Sequence, residues 1–129
     1  MTEAKKTTHP VALAAVRWAG EKSAVDPVLL DLRELCSYTD YLLVLGGRST
    51  RQVHAIADSI VDGMRSEGHR ALGVEGVTEG RWALLDFGRL VVHVFLEELR
   101  EHYDLESLWN EAPRLDVNQL LASAARAEG

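Results

Sequence analysis

The stretch Trp82–Ala83–Leu84–Leu85–Asp86–Phe87–Gly88–Arg89–Leu90–Val91–Val92–His93–Val94–Phe95 holds two β-favouring runs on either side of Gly88-Arg89. Glycine at the first position of a two-residue loop predicts a type II′ hairpin turn. Phe87 then pairs with Leu90, Asp86 faces Val91, Leu84 faces His93 and Trp82 faces Phe95. Side chains alternate along a strand, so the two faces read off directly. One face carries Ala83, Leu85, Phe87, Leu90, Val92 and Val94, all apolar, and calls for a helix on top of it. The other carries Trp82, Leu84, Asp86, Val91, His93 and Phe95, a mixed surface that suits a partner better than bare water.

Working outward, Gly46-Gly47-Arg48 leads from an apolar run, Tyr41–Leu45, into the clearest helix of the chain. The run is apolar throughout, which predicts a central strand. Ser49 and Gln52 have the spacing of a capping box, and Val53, Ile56, Ala57, Ile60, Val61 and Met64 line one helical face. Gly68 closes that helix. Upstream, His9-Pro10 starts a helix whose buried face is Val11, Ala14, Ala15, Trp18 and Ala19. Val28–Leu32 reads as a strand, as does His69–Val74. Downstream come a turn or two of helix at Glu97–Tyr103 and an apolar patch of Leu105, Leu108 and Trp109. Pro113 marks a break, and an Ala- and Leu-rich segment from Asn118 to Ala127 reads as a terminal helix. Residues 1–8 are polar and expected to be loose. The order α-β-β-α-β-β-β-α describes an α/β (α+β) domain, one mixed sheet of three to five strands with packed helices.

The chain has 129 residues, of which 47% are hydrophobic and 26% charged, the balance of one soluble globular domain. No apolar run approaches the ~20 residues that span a bilayer, and the N-terminus lacks a signal-peptide pattern. The single Cys36 forms no internal disulfide, in keeping with a cytoplasmic location. Twenty acids against fourteen Lys and Arg give a net charge of −6. With no basic cluster, little direct contact with nucleic acid is expected, and a basic protein surface is the more natural match.

Catalytic signatures are thin. Gly46-Gly47-Arg48-Ser49 follows a strand and opens a helix, as does the Gly-Gly/Ser turn of polymerase-β-type nucleotidyltransferases, whose backbone N–H groups hold a phosphate. That chemistry also needs grouped acids to bind metal ions. Asp58 and Asp62 fall on the solvent side of the helix, and Asp31, Asp40 and Asp86 stand singly near strand ends. His54, His69, His93 and His102 show no two-ligand spacing, and Gly-x-Ser-x-Gly is absent. No cofactor, metal or catalytic residue is assigned. An enzyme acting on a nucleotide or phosphate ester is the alternative reading.

Taken together, the motifs resemble the bacterial ribosomal silencing factor family, also called the Iojap family. The residues that carry the resemblance are Thr39-Asp40-Tyr41, Ser49-x-Arg51-Gln52-Val53, Glu75-Gly76, the block Trp82-x-Leu84-Leu85-Asp86-Phe87-Gly88 with Val91-Val92-His93-Val94-Phe95, then Arg100, Tyr103 and Leu105-Glu106-x-Leu108-Trp109. Residues 1–112 make the family domain on this reading, and 113–129 lie outside it as a C-terminal extension. Gly46 and Arg48 depart from the residues usual around the Gly47 turn, and Arg89 replaces a common acid. The resemblance implies a nucleotidyltransferase-like fold without catalytic residues. It also implies binding to the large ribosomal subunit through its protein number fourteen, a basic β-rich protein, which blocks association with the small subunit and represses translation. A homodimer when free is implied as well.

Residues and resemblance point to one surface. Trp82 is an apolar anchor with Leu84 and Phe95 around it and His93 beside Leu84, while Asp86 and Glu75 meet Lys or Arg of the partner at the rim. The competing expectation is that the terminal helix of the chain itself covers Trp82 and Phe95.

Overall fold

Two runs almost free of polar side chains, Tyr41–Gly47 and Leu90–Leu96, lie side by side in parallel at the middle of a sheet. The structure is a computed structural model that describes residues 8–128, with side chains to residue 122, so most of the polar stretch expected at residues 1–8 falls outside the described residues. In chain order the elements are α1 (Pro10–Gly20), β1 (Val25–Asp31), β2 (Tyr41–Gly47), α2 (Thr50–Ser66), β3 (Gly73–Glu75), β4 (Trp82–Asp86), β5 (Leu90–Leu96), α3 (Glu97–Tyr103), α4 (Leu105–Leu108), β6 (Arg114–Leu115) and α5 (Val117–Glu128). The sheet has six strands in the order β3-β4-β5-β2-β1-β6, and all pairs but β2–β5 are antiparallel. This is the α+β fold with a single mixed sheet that the sequence predicts, with one strand more.

Alternation sorts the two sides of the sheet. Tyr41, Leu43 and Leu45 of β2 and Leu90, Val92 and Val94 of β5 join one core with Val11, Ala15, Val53, Ile56, Ile60 and Met64 of α1 and α2. Leu42, Val44, Val91 and Phe95 point the other way, into a second core with Leu30, Leu99, Leu105 and Trp109. Because β2 and β5 are covered on both sides, their near-continuous apolar sequences are physically required. The second cover is shorter. α3 and α4 lie over β5, β2 and β1, and beyond them the cover is partial: Leu84 of β4 packs against the second core and Tyr103 of α3 stands beside Trp82, while Glu75 of β3 is exposed.

The β4–β5 register agrees residue for residue with expectation: Trp82 faces Phe95, Leu84 faces His93 and Asp86 faces Val91. The connection differs. Gly88 has φ +85°, and the Phe87 carbonyl accepts the N–H of Arg89 at 3.1 Å, so the bend closes as a γ-turn rather than a type II′ turn. The Gly88 N–H donates to Asp86 Oδ1 at 2.8 Å, which supports this tighter bend.

Other departures have equally local causes. β1 starts earlier than Val28 because a bulge at Asp26, with φ +44°, lets the strand continue past Pro27. The third strand is Gly73–Glu75 and not His69–Val74, and β6, unforeseen, pairs with Leu29 and Leu30 of β1. Ser49 Oγ accepts the Gln52 N–H at 3.1 Å as expected, but Gln52 Oε1 reaches Arg48 N–H at 2.6 Å instead of the N–H of Ser49. Residues 113–128 contribute β6 and α5, and Leu115, Val117, Leu120 and Leu121 pack against the first core.

Candidate functional site

At the partly covered end of the sheet, strand alternation sends Trp82 and Leu84 of β4 to the same side as Glu75 of β3, which pairs with Leu84. Glu75, Gly76, Trp82 and Leu84 line a shallow pocket of about 290 Å³. Trp82 is 37% exposed. Its indole lies with ring centroids 4.8 Å from Phe95 beneath and 4.8 Å from Tyr103 of α3 beside it, distances at which tilted aromatic rings attract. Tyr103 is itself 52% exposed. The two rings therefore form one amphipathic surface, with the Glu75 carboxylate at its edge.

The residues singled out from sequence divide into three groups. Trp82, Leu84 and Glu75 come together at the pocket. Phe95 and His93, expected beside Trp82 on the contact surface, lie beneath the exterior of the protomer. Phe95 is 0% exposed, under Trp82 and close to Tyr103, and His93 is 7% exposed. The second core draws them in because α3 follows β5 at once and folds back over it. Asp86 is half-buried and holds Gly88 N–H, so its first task is the turn. The cover over Phe95 comes from α3, whereas α5 packs on the opposite side of the sheet.

His93 has one more partner. Trp82 Nε1 donates to His93 Nδ1 at 2.9 Å, which makes Nε2–H the tautomer present. Burial lowers the imidazole pKa to about 4, so the ring is neutral at neutral pH.

Two further exposed aromatics are Tyr103, which the sequence offers only as part of the family resemblance and not as a neighbour of Trp82, and Tyr38, which it does not single out. Tyr103 ends a short helix with no buried face, and nothing in its spacing ties it to Trp82. Tyr38 is exposed in the β1–β2 connection, and partial burial, then the Asp86 carboxylate, raises its pKa, which puts its phenol near that acid. Its sequence signal is a lone aromatic in a polar loop.

Two of the backbone donors in the turn that resembles a phosphate cradle are satisfied within the turn itself. Arg48 N–H donates to Gln52 Oε1, and Gln52 N–H donates to Ser49 Oγ. The single acids are likewise engaged locally. Asp31 holds the Arg33 guanidinium at 2.6 Å, Asp40 pairs with Arg89 at 3.2 Å, and Asp86 caps Gly88. Among the described residues no group of three or more His, Cys, Asp or Glu is placed to hold a metal ion.

Comparison with known proteins settles the kinship. The family model described as ribosomal silencing factor during starvation matches residues 5–129. The chain belongs to the ribosomal silencing factor family. A silencing factor of Bacillus subtilis is 39% identical over 114 residues, covering 88% of this chain and 94% of the relative. A mouse relative named mitochondrial assembly of ribosomal large subunit protein 1 is 33% identical over 69% of this chain and 40% of its own length. A crystal structure from Chromobacterium violaceum superposes with a TM-score of 0.76 at 35% identity, covering 78% of this chain and 83% of that one. The family match runs through β6 and α5, so it takes in the segment that the sequence motifs alone left outside. A silencing factor is a regulator of ribosome activity by name, and among the described residues of this one no helix is long and apolar enough to cross a membrane.

Proposed function

We propose that this protein binds the large ribosomal subunit through its protein number fourteen and, from that position, blocks association with the small subunit and so represses translation. The observation that carries the reading is the exposed Trp82–Tyr103 pair beside Leu84 and Glu75, at the end of the sheet where the cover from α3 is partial. A large aromatic at the centre of a patch dominates interface energies, and a charged rim sets orientation and the rate of encounter. The net charge of −6 favours a basic partner, and a protein surface over bare phosphate backbone. The role is that of a non-enzymatic binding factor acting in the cytoplasm, with a homodimer as the form free of the ribosome.

The test is co-sedimentation with purified large subunits. Trp82→Ala is expected to weaken binding by ~2 kcal/mol or more while the fold survives, and to restore joined ribosomes in a sucrose gradient. Wild-type affinity in that variant overturns the assignment of this surface.

A further inference from the structure

We infer that His93 is a positioning residue for docking: from beneath the surface it accepts the Trp82 indole N–H and so fixes which part of the ring meets the partner. The inference rests on the docking reading above and adds to it a condition on the partner.

A Trp side chain has two torsions, and a half-exposed indole on a strand can turn its N–H outward to water. Here three contacts decide the matter. Trp82 and His93 sit on adjacent strands as diagonal neighbours on one face, two residue pairs apart along the ladder, since Trp82 faces Phe95 and Leu84 faces His93. The indole N–H reaches inward to Nδ1 at 2.9 Å. Phe95 and Tyr103 then hold the ring from two sides at 4.8 Å each. His93 is the polar member of this cluster, and with 7% exposure water competes poorly for its Nδ1. Leucine or valine, as elsewhere along β5, would fill the place but leave the indole N–H without a partner. An imidazole there provides an acceptor that only the neutral ring can supply, and burial keeps the ring neutral.

The consequence concerns recognition. With its N–H already satisfied, Trp82 offers a partner only carbon: one face and one edge of the indole. The partner group that lands there is therefore an aliphatic stem or the apolar side of a longer side chain, and not a hydrogen-bond acceptor aimed at the ring nitrogen. Preorganisation of the ring also removes an ordering cost from binding.

Two substitutions separate this role from simple packing. His93→Leu keeps bulk and removes the acceptor, whereas His93→Asn places an amide oxygen close to where Nδ1 stands. The expected result is a loss of about tenfold in large-subunit affinity for His93→Leu and recovery to within about threefold for His93→Asn. In a Trp82→Phe background, which has no N–H to hold, His93→Leu is expected to cost nothing further, an outcome that a purely structural histidine would not give. If His93→Leu folds poorly, the indole N–H resonance of Trp82 in the unmodified protein decides: slow exchange supports the inner hydrogen bond, and free exchange with water overturns it. Wild-type affinity in a folded His93→Leu alongside a weakened Trp82→Ala overturns the positioning role alone. Wild-type affinity in Trp82→Ala overturns the docking reading and this inference with it.

Discussion

The Arg100 guanidinium donates to the Val25 carbonyl oxygen at 3.0 Å, across 75 residues of chain. It also donates to the Asp26 carbonyl at 2.7 Å and, through Nε, to Glu106 at 3.0 Å. One largely buried side chain thus satisfies the carbonyls of the β1 bulge and ties α3 and α4 to the sheet. Removing it leaves the part-buried Val25 carbonyl, the exposed Asp26 carbonyl and the Glu106 carboxylate short of a partner. Arg100→Ala is expected to lower stability by about 3 kcal/mol in urea denaturation, and Arg100→Lys to recover little, because an ammonium cannot reproduce the planar fork. A shift below about 1 kcal/mol contradicts the role given to the clamp.

Gly76 tests the wall of the pocket that Trp82, Leu84 and Glu75 share with it. Its φ is +77°, and a Cβ placed there would clash with the Trp82 carbonyl oxygen, which is backbone and cannot turn aside. Gly76→Ala is expected to cost about 2 kcal/mol or more of stability and to displace the β3–β4 connection against Trp82, weakening large-subunit binding as well. Thermal melting and co-sedimentation on the same variant check both effects.

Stability should depend on pH through His93. Its folded pKa of about 4 lies below the ordinary value of 6.5, and burial is the cause. The unfolded chain therefore binds more protons in between, so stability is full above pH 6.5 and falls as the pH drops towards 4. The loss expected across that window is about 3 kcal/mol from this group. Urea titrations at pH 7 and pH 4.5 measure it, and the slope should flatten in His93→Asn relative to the unmodified protein.

Removing residues 113–129 should unmask the first core. β6 pairs with Leu29 and Leu30, the Pro113 carbonyl accepts the N–H of Asp31 at 2.9 Å, and Leu115, Val117, Leu120 and Leu121 cover apolar residues. The shortened chain is expected to lose ~3 kcal/mol or more. Unchanged melting would mean that this segment does not support the sheet.

Where the physics is local, the sequence could be read through to the fold. The capped start of α2, the apolar face of that helix and the strand partners from Trp82 to Phe95 all follow from spacing alone. Legibility ended where distant segments meet. Alternation places Phe95 on the mixed face, but alternation cannot say that α3 returns over that face. Tyr103 joined Trp82 through the same return, set by Arg100 reaching β1 rather than by any pattern near Tyr103. β6 is two residues long and has no periodicity to detect. For the proposed docking patch, strand register sets the side on which Trp82, Leu84 and Glu75 emerge, and only tertiary packing sorts these from His93 and Phe95.

The parallel pairing of β2 with β5 also bears on how the protein is made. β2 is finished at Gly47, yet its neighbour on one side is not complete until Leu96. A growing chain therefore carries a fully apolar ribbon with an unpaired edge through the synthesis of some fifty residues, while α2 can shelter only one of its sides. Closure of the centre must wait for a late, long-range encounter, the kind of step that slows folding and leaves sticky intermediates. A protein whose business is with ribosomes is thus exposed, at its own birth, for as long as the ribosome takes to reach its fifth strand.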